Sequence, residues 1–132
     1  MRAYVACDLG VVAVDLETEE VDFDDVPDAL APRQTLDLGL PLLVAADRHS
    51  STVVAVVDRR PPLLVSGDGG LTWREAGAGM SPGRAVAISP DHPDLVLYAS
   101  ESRLFLSQDG GRFWAGLSVE LPGIAGLAWA DE

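Results

Sequence analysis

The feature that most constrains this chain is an internal repeat. PLLVSGDGGLTWREAG begins at Pro62 and SRLFLSQDGGRFWAGL begins at Ser102. Ser66 aligns with Ser107, Asp68 with Asp109, Gly70 with Gly111 and Trp73 with Trp114, at a constant offset of 41 residues. A fixed period of this kind means copies of one supersecondary unit stacked on each other, because no unit buries its apolar face alone. A period of about 40 residues with strand-like content is that of a four-stranded propeller blade.

The residues around the repeat read as strands. Segments 52–57 (TVVAVV), 63–65, 95–99 (LVLYA) and 104–106 are short, apolar and rich in β-branched or aromatic residues, which suits pleated, half-buried surfaces. Turn residues bound them: DRRPP at 58–62, GDGG at 67–70 and SPDHPD at 89–94. No stretch has sustained helical periodicity. Residues 26–31 are the one place for a helical turn, and Pro27 and Pro32 confine it. The third unit reads as strands 84–89, 95–100, 103–107 and 113–117. The second reads as 40–46, 52–58, 63–66 and 72–75. The first supplies only three strands, 4–7, 11–15 and 20–23, and segment 123–130 (GIAGLAWA) resembles the opening strand of the third unit, RAVAIS. The C-terminal strand is therefore expected to complete the N-terminal blade, a closure that removes open sheet edges. The blades are placed at 1–30 plus 123–130, 38–78 and 82–119.

At SGDGGLTW (66–73) and SQDGGRFW (107–114) the chain resembles the Asp-box, or BNR, repeat family, whose pattern is Ser-x-Asp-x-Gly-x-Thr-Trp. The first copy, with Ser66, Asp68, Gly70, Thr72 and Trp73, matches at every position. The second, with Ser107, Asp109, Gly111 and Trp114, has Phe113 where Thr is usual. In the first unit, VDLETEEV at 14–21 keeps the hairpin position without the box. SPDHPDLVLYAS at 89–100 also resembles the stretch before the box. The resemblance implies an all-β propeller. The family spans sialidases, xyloglucan-active glycosidases, sortilin-type receptors and photosystem assembly factors, so it implies a fold and no single activity. The box residues read as structural. The glycines supply positive φ, Asp68 and Asp109 accept N–H groups of their own turns, and each Trp buries a ring at the hairpin base.

Charge narrows the function classes. Twenty-one acids face nine bases, all of them Arg, giving a net charge of −12. Long-range repulsion then argues against nucleic acid and anionic membranes as partners. No apolar run approaches the roughly 20 residues of a spanning helix, and the N-terminus reads as strand, which makes cytoplasmic the expected location. A lone Cys7 permits no intrachain disulfide and reads as a buried, inert thiol. A sialidase-like site needs an arginine cluster and a tyrosine nucleophile. Arg33, Arg59 and Arg60 are scattered loop residues, and neither Tyr4 nor Tyr98 sits in a motif. His49 and His92 occupy turns at what read as equivalent corners, with solvent exposure expected rather than a metal. The acidic run 15–28 fits no cation loop and reads as solvated surface. No cofactor is expected.

The expected fold is thus half a propeller, three blades of four strands. Propellers close with about four to eight blades, so three leave two apolar end faces bare. A homodimer supplies six blades and closes the ring through two identical junctions. An exchanged C-terminal strand, pairing across the junction, is the favoured arrangement. The favoured function is a non-enzymatic binding or scaffold module for a protein or carbohydrate. The alternative is a small glycosidase-like enzyme with its site at the channel of the assembled ring.

Overall fold

The computed structural model describes residues 1–30, 36 and 38–130. Twelve strands lie among them: β1 (Arg2–Cys7), β2 (Gly10–Asp15), β3 (Val21–Asp22), β4 (Leu43–His49), β5 (Thr52–Val57), β6 (Leu63–Ser66), β7 (Arg74–Ala76), β8 (Gly83–Ile88), β9 (Val96–Ser100), β10 (Arg103–Ser107), β11 (Ala115–Glu120) and β12 (Gly126–Trp129). They form three antiparallel four-stranded sheets in the orders β12-β1-β2-β3, β4-β5-β6-β7 and β8-β9-β10-β11. The described residues contain no helix. The fold is all-β and propeller-like.

The sheets stack in a row, and their order is set by burial on both faces. Val54, Val56, Leu63 and Val65 of the second blade pack against Val86, Ile88, Val96 and Tyr98 of the third. The opposite face of the third blade, with Ala87, Leu97, Ala99 and Leu104, packs against Ala3, Val5, Val12 and Val14 of the first. The spatial order is therefore second, third, first. Strands buried on two sides read as continuous apolar runs, which is why TVVAVV does not alternate.

This order corrects the expectation of an exchanged strand. Gly126–Trp129 pairs antiparallel with β1 of its own chain, Tyr4 opposite Ala128 and Val5 opposite Leu127. Exchange would spare the strand a crossing of the half-ring only if the blades stood in sequence order. The strand crosses nothing, since the first blade sits beside the third. β3 ends at Asp22 and β4 begins at Leu43, whereas the connections at 77–82 and 121–125 are short.

The bare end faces are corrected in part. On the free face of the second blade, Ala55, Val57 and Leu64 are buried under Leu38, Leu40 and Leu43. On the free face of the first, Tyr4, Ala6 and Val11 are half-buried, and the Leu30 side chain lies 3.4 Å from where a Cβ on Gly126 would be. The connecting segment covers surface that a ring would cover with another blade. Residues 26–30 make bends and no helical turn. The opening strand of the second blade runs from Leu43, not from 40, because Leu38 and Leu40 are used on the end face. The fourth strands begin at Arg74 and Ala115, two residues later than the pattern predicts, because N–H groups at the preceding positions bond to the box carboxylates.

Candidate functional site

Each box is a hydrogen-bonded hairpin built on a pair of fixed glycines. Gly69 and Gly70 have φ of 76° and 98°, and Gly110 and Gly111 have 75° and 92°, a region costly for side-chain-bearing residues. The Ser66 hydroxyl donates to Asp68 Oδ1 at 2.6 Å and accepts from Gly70 N at 2.9 Å. Asp68 Oδ1 also accepts from Leu71 N and Thr72 N at 3.1 and 2.9 Å, and Oδ2 from the Thr72 hydroxyl at 2.6 Å. In the second box Ser107 donates to Asp109 and accepts from Gly111 N, both at 2.8 Å, and Asp109 accepts from Arg112 N and Phe113 N. Phe113 brings no hydroxyl, so Asp109 has one donor fewer. The Asp68 carboxyl is held far below the usual carboxylate range, first by the Ser66 hydroxyl and then by Thr72. Asp109 is lowered mainly by the Phe113 N–H. Hydrogen bonds to the charged form have this effect. The tips are tied down as well, Gly69 N to the Ser51 carbonyl and Gly110 N to that of Asp94.

The degenerate hairpin of the first blade solves the same turn differently. Asp15 Oδ1 accepts from Glu17 N and Thr18 N at 2.9 and 3.0 Å, which lowers its pKa, with the Thr18 N–H as the largest cause. Glu19 takes φ of 62° where a box has glycine. Its carboxylate reaches the third blade and accepts from Ser118 N and Val119 N. Glu19 is thus a brace between blades, not part of a solvated face. Nothing in the sequence marked it, because its partners lie about a hundred residues away and are backbone groups.

Residues considered for chemistry are scattered. Tyr98 is buried, with its hydroxyl donating to the Ser81 carbonyl at 2.5 Å. Burial pushes its pKa up to about 12, the wrong direction for a nucleophile. Its ring packs edge-on to Phe105 and Trp114, with centroids at 5.7 and 6.0 Å. Tyr4 lies on the free face of the first blade, far along the row from Tyr98. Arg59 and Arg60 sit in the β5–β6 connection, where Arg60 borders a groove of about 460 Å³ with Pro62, Met80 and Pro82. Arg33 lies outside the described residues. Cys7 is half-buried rather than buried, and its Sγ–H donates to the Gly10 carbonyl at 3.5 Å. His49 ends β4 and His92 lies in the β8–β9 connection. Among the described residues no three His, Cys, Asp or Glu side chains come together to hold a metal.

The hairpin tips share one end of the fold and expose apolar side chains there. Leu71 is 85% and Phe113 80% exposed. Arg74, just after the first tip, donates to the Gly110 carbonyl of the second at 3.1 Å, so the two hairpins are neighbours. A hollow of about 350 Å³ beside Phe113 is bordered by Gln108, Asp109 and Trp114. An exposed leucine and an exposed phenylalanine thus stand on adjacent tips, beside a mainly apolar hollow.

No family model matches the chain, and no curated protein does. Among solved structures it is similar to a GH74 enzyme of Niastella koreensis, at 20% identity and a TM-score of 0.49. That similarity covers 91% of this chain and 18% of the enzyme, so the chain spans less than a fifth of the enzyme's length. No helix among the described residues is long and apolar enough to cross a membrane.

Proposed function

We propose that the chain is a non-enzymatic binding or scaffold module of the Asp-box propeller type, completed to six blades by a second copy. Its ligand, a protein or a carbohydrate, meets the end that carries the hairpin tips. The observation that carries this reading is the pair of adjacent tips exposing Leu71 and Phe113 on hairpins held rigid by buried hydroxyls and charged carboxylates. Rigid loops that present apolar and aromatic side chains bind with little loss of conformational freedom. The hairpin carboxylates themselves are unsuited to acid catalysis. A glycosidase acid must stay protonated near neutrality, whereas Asp15, Asp68 and Asp109 are all pushed the other way by donors in their own turns.

An array of immobilised glycans, run beside a panel of chromogenic glycosides, tests the reading. The expected result is no hydrolysis, with any retention on the array falling about tenfold in a variant carrying Leu71→Ser and Phe113→Ser. Absence of retention counts against a carbohydrate ligand and moves the test to protein partners. Hydrolysis that vanishes on substitution of a single carboxylate overturns the reading in favour of an enzyme.

A further inference from the structure

The two junctions inside the chain follow one rule of register. At the first, the row Asp47–Val54–Val65–Arg74 crosses the second blade from inner to outer strand. It meets the row Ile88–Val96–Ser107 of the third blade. The ends of the row carry the polar contacts. Asp47 Oδ2 accepts from Ile88 N at 2.7 Å, and Arg74 donates to Gly110 O in the facing hairpin. At the second junction the equivalent row Ala87–Leu97–Leu106–Ala115 meets Trp129–Ala3–Val14–Val21. Here Trp129 Nε1 donates to Ala87 O at 3.0 Å, and N–H groups of β11 reach Glu19 in the facing hairpin. In both cases the outer strand of one blade bonds to the β-hairpin of the next.

The same register names the rows on the two free faces. The first blade presents Ala128–Tyr4–Ala13–Asp22. The second presents Arg48–Val53–Ser66, followed by its hairpin. Asp22 stands where the second blade has Arg74. Gly69 stands where the third blade has Gly110. The group already over Gly69 is Arg48, whose Nη2 lies 3.6 Å from where a Cβ on Gly69 would be, while its Nε donates to Ser50 O at 3.0 Å. Both Asp22 and Arg48 are exposed. Asp22 Oδ1 accepts from Asp24 N at 2.9 Å, which holds the carboxylate in its turn. The leucines of the connecting segment pack on Ala55, Val57 and Leu64, and Val53 and Ser66 of the row at the hairpin end are themselves buried within the chain, so Arg48 is what this row presents to a partner.

We infer that a second copy of this chain docks with its first blade on the second blade of the other, and that Asp22 of one copy pairs with the partner's Arg48 over the hairpin at Gly69. This rests on the ring-closing reading above and adds its register. The brace keeps its place at all three kinds of junction and changes its chemistry. It is guanidinium to carbonyl at the first, N–H to carboxylate at the second and carboxylate to guanidinium at the third. Opposite charges on the two end faces also specify head-to-tail closure, because like end faces would bring like charges together.

Sedimentation equilibrium of the full chain and three variants tests this. The wild type is expected to associate as a dimer. Asp22→Arg and Arg48→Asp are each expected to weaken association about tenfold or more. The two substitutions in one chain are expected to restore it, because each junction again holds an opposite pair. Thermal melts of the variants show that each still folds. A dimeric wild type whose single variants associate equally well overturns the pairing and leaves ring closure standing, as does a double variant that stays dissociated. A monomeric wild type overturns both.

Discussion

Ser107 is a fully buried hydroxyl that serves three groups of one hairpin. It donates to Asp109 and accepts from Gly111 N and Asp109 N. Ser107→Ala leaves a buried N–H without its acceptor and is expected to cost about 1–3 kcal/mol, read from urea melts. An unchanged midpoint would mean the hairpin stands without its hydroxyl. The carboxylates give a pH signature with a definite sign. The native pKa values of Asp15, Asp68 and Asp109 lie below their unfolded values. Their stabilisation is therefore present above about pH 4 and is lost as pH falls through the lowered native values. The urea midpoint is expected to fall between about pH 4 and pH 2, and less steeply in Asp68→Asn than in Asp15→Asn, since Asp68 is lowered further and by more donors. Equal slopes would contradict the account of the box. The pairing of Ser, Asp and Gly at fixed spacing made these bonds readable, because all the partners lie within seven residues. Glu19 and Arg74 were not readable in the same way, since they act across blades.

Strands were legible to within a few residues because apolar runs and turn residues mark them. Their ends were displaced wherever side chains took over backbone partners, as at Thr72 and Phe113, whose N–H groups bond to carboxylates. The terminal strand β12 was legible from its likeness to β8, and so was its place in the N-terminal blade, while the chain whose β1 it joins was not, because pairing within a chain and pairing between copies leave the same pattern in the sequence. What fixes it is burial. Ile124 and Leu127 are within 2% of complete burial in the core that joins the first and third blades. Beyond pairing with β1, the terminal segment receives Asp8 N at the Pro122 carbonyl and donates Ala125 N to Ala6 O. Deleting residues 123–132 therefore exposes both the edge of β1 and a face of the third blade. The truncated chain is expected to aggregate, or to lose cooperative unfolding by circular dichroism. A soluble truncation with an unchanged melt would remove this strand from the account.

At the scale of the molecule, three blades are stacked so that each apolar face but two is covered by a neighbouring blade. The two exceptions lie at opposite ends of the row: on the second blade Leu38 and Leu40 already bury Ala55, Val57 and Leu64, and on the first Tyr4, Ala6 and Val11 stay half-buried. Complementary charge stands at their hairpin ends, Asp22 on one and Arg48 on the other. The net charge of −12 on each chain opposes association at long range, so a dimer has to be held by the end faces themselves. The number of blades was legible from a period of 41 residues. The closing partner was not, because a junction between chains leaves no spacing in either one. Multi-angle light scattering of the intact chain at micromolar concentration and physiological salt tests the central claim most directly. The account predicts a mass twice the 13.9 kDa of one chain, and a stable species at 13.9 kDa would contradict it.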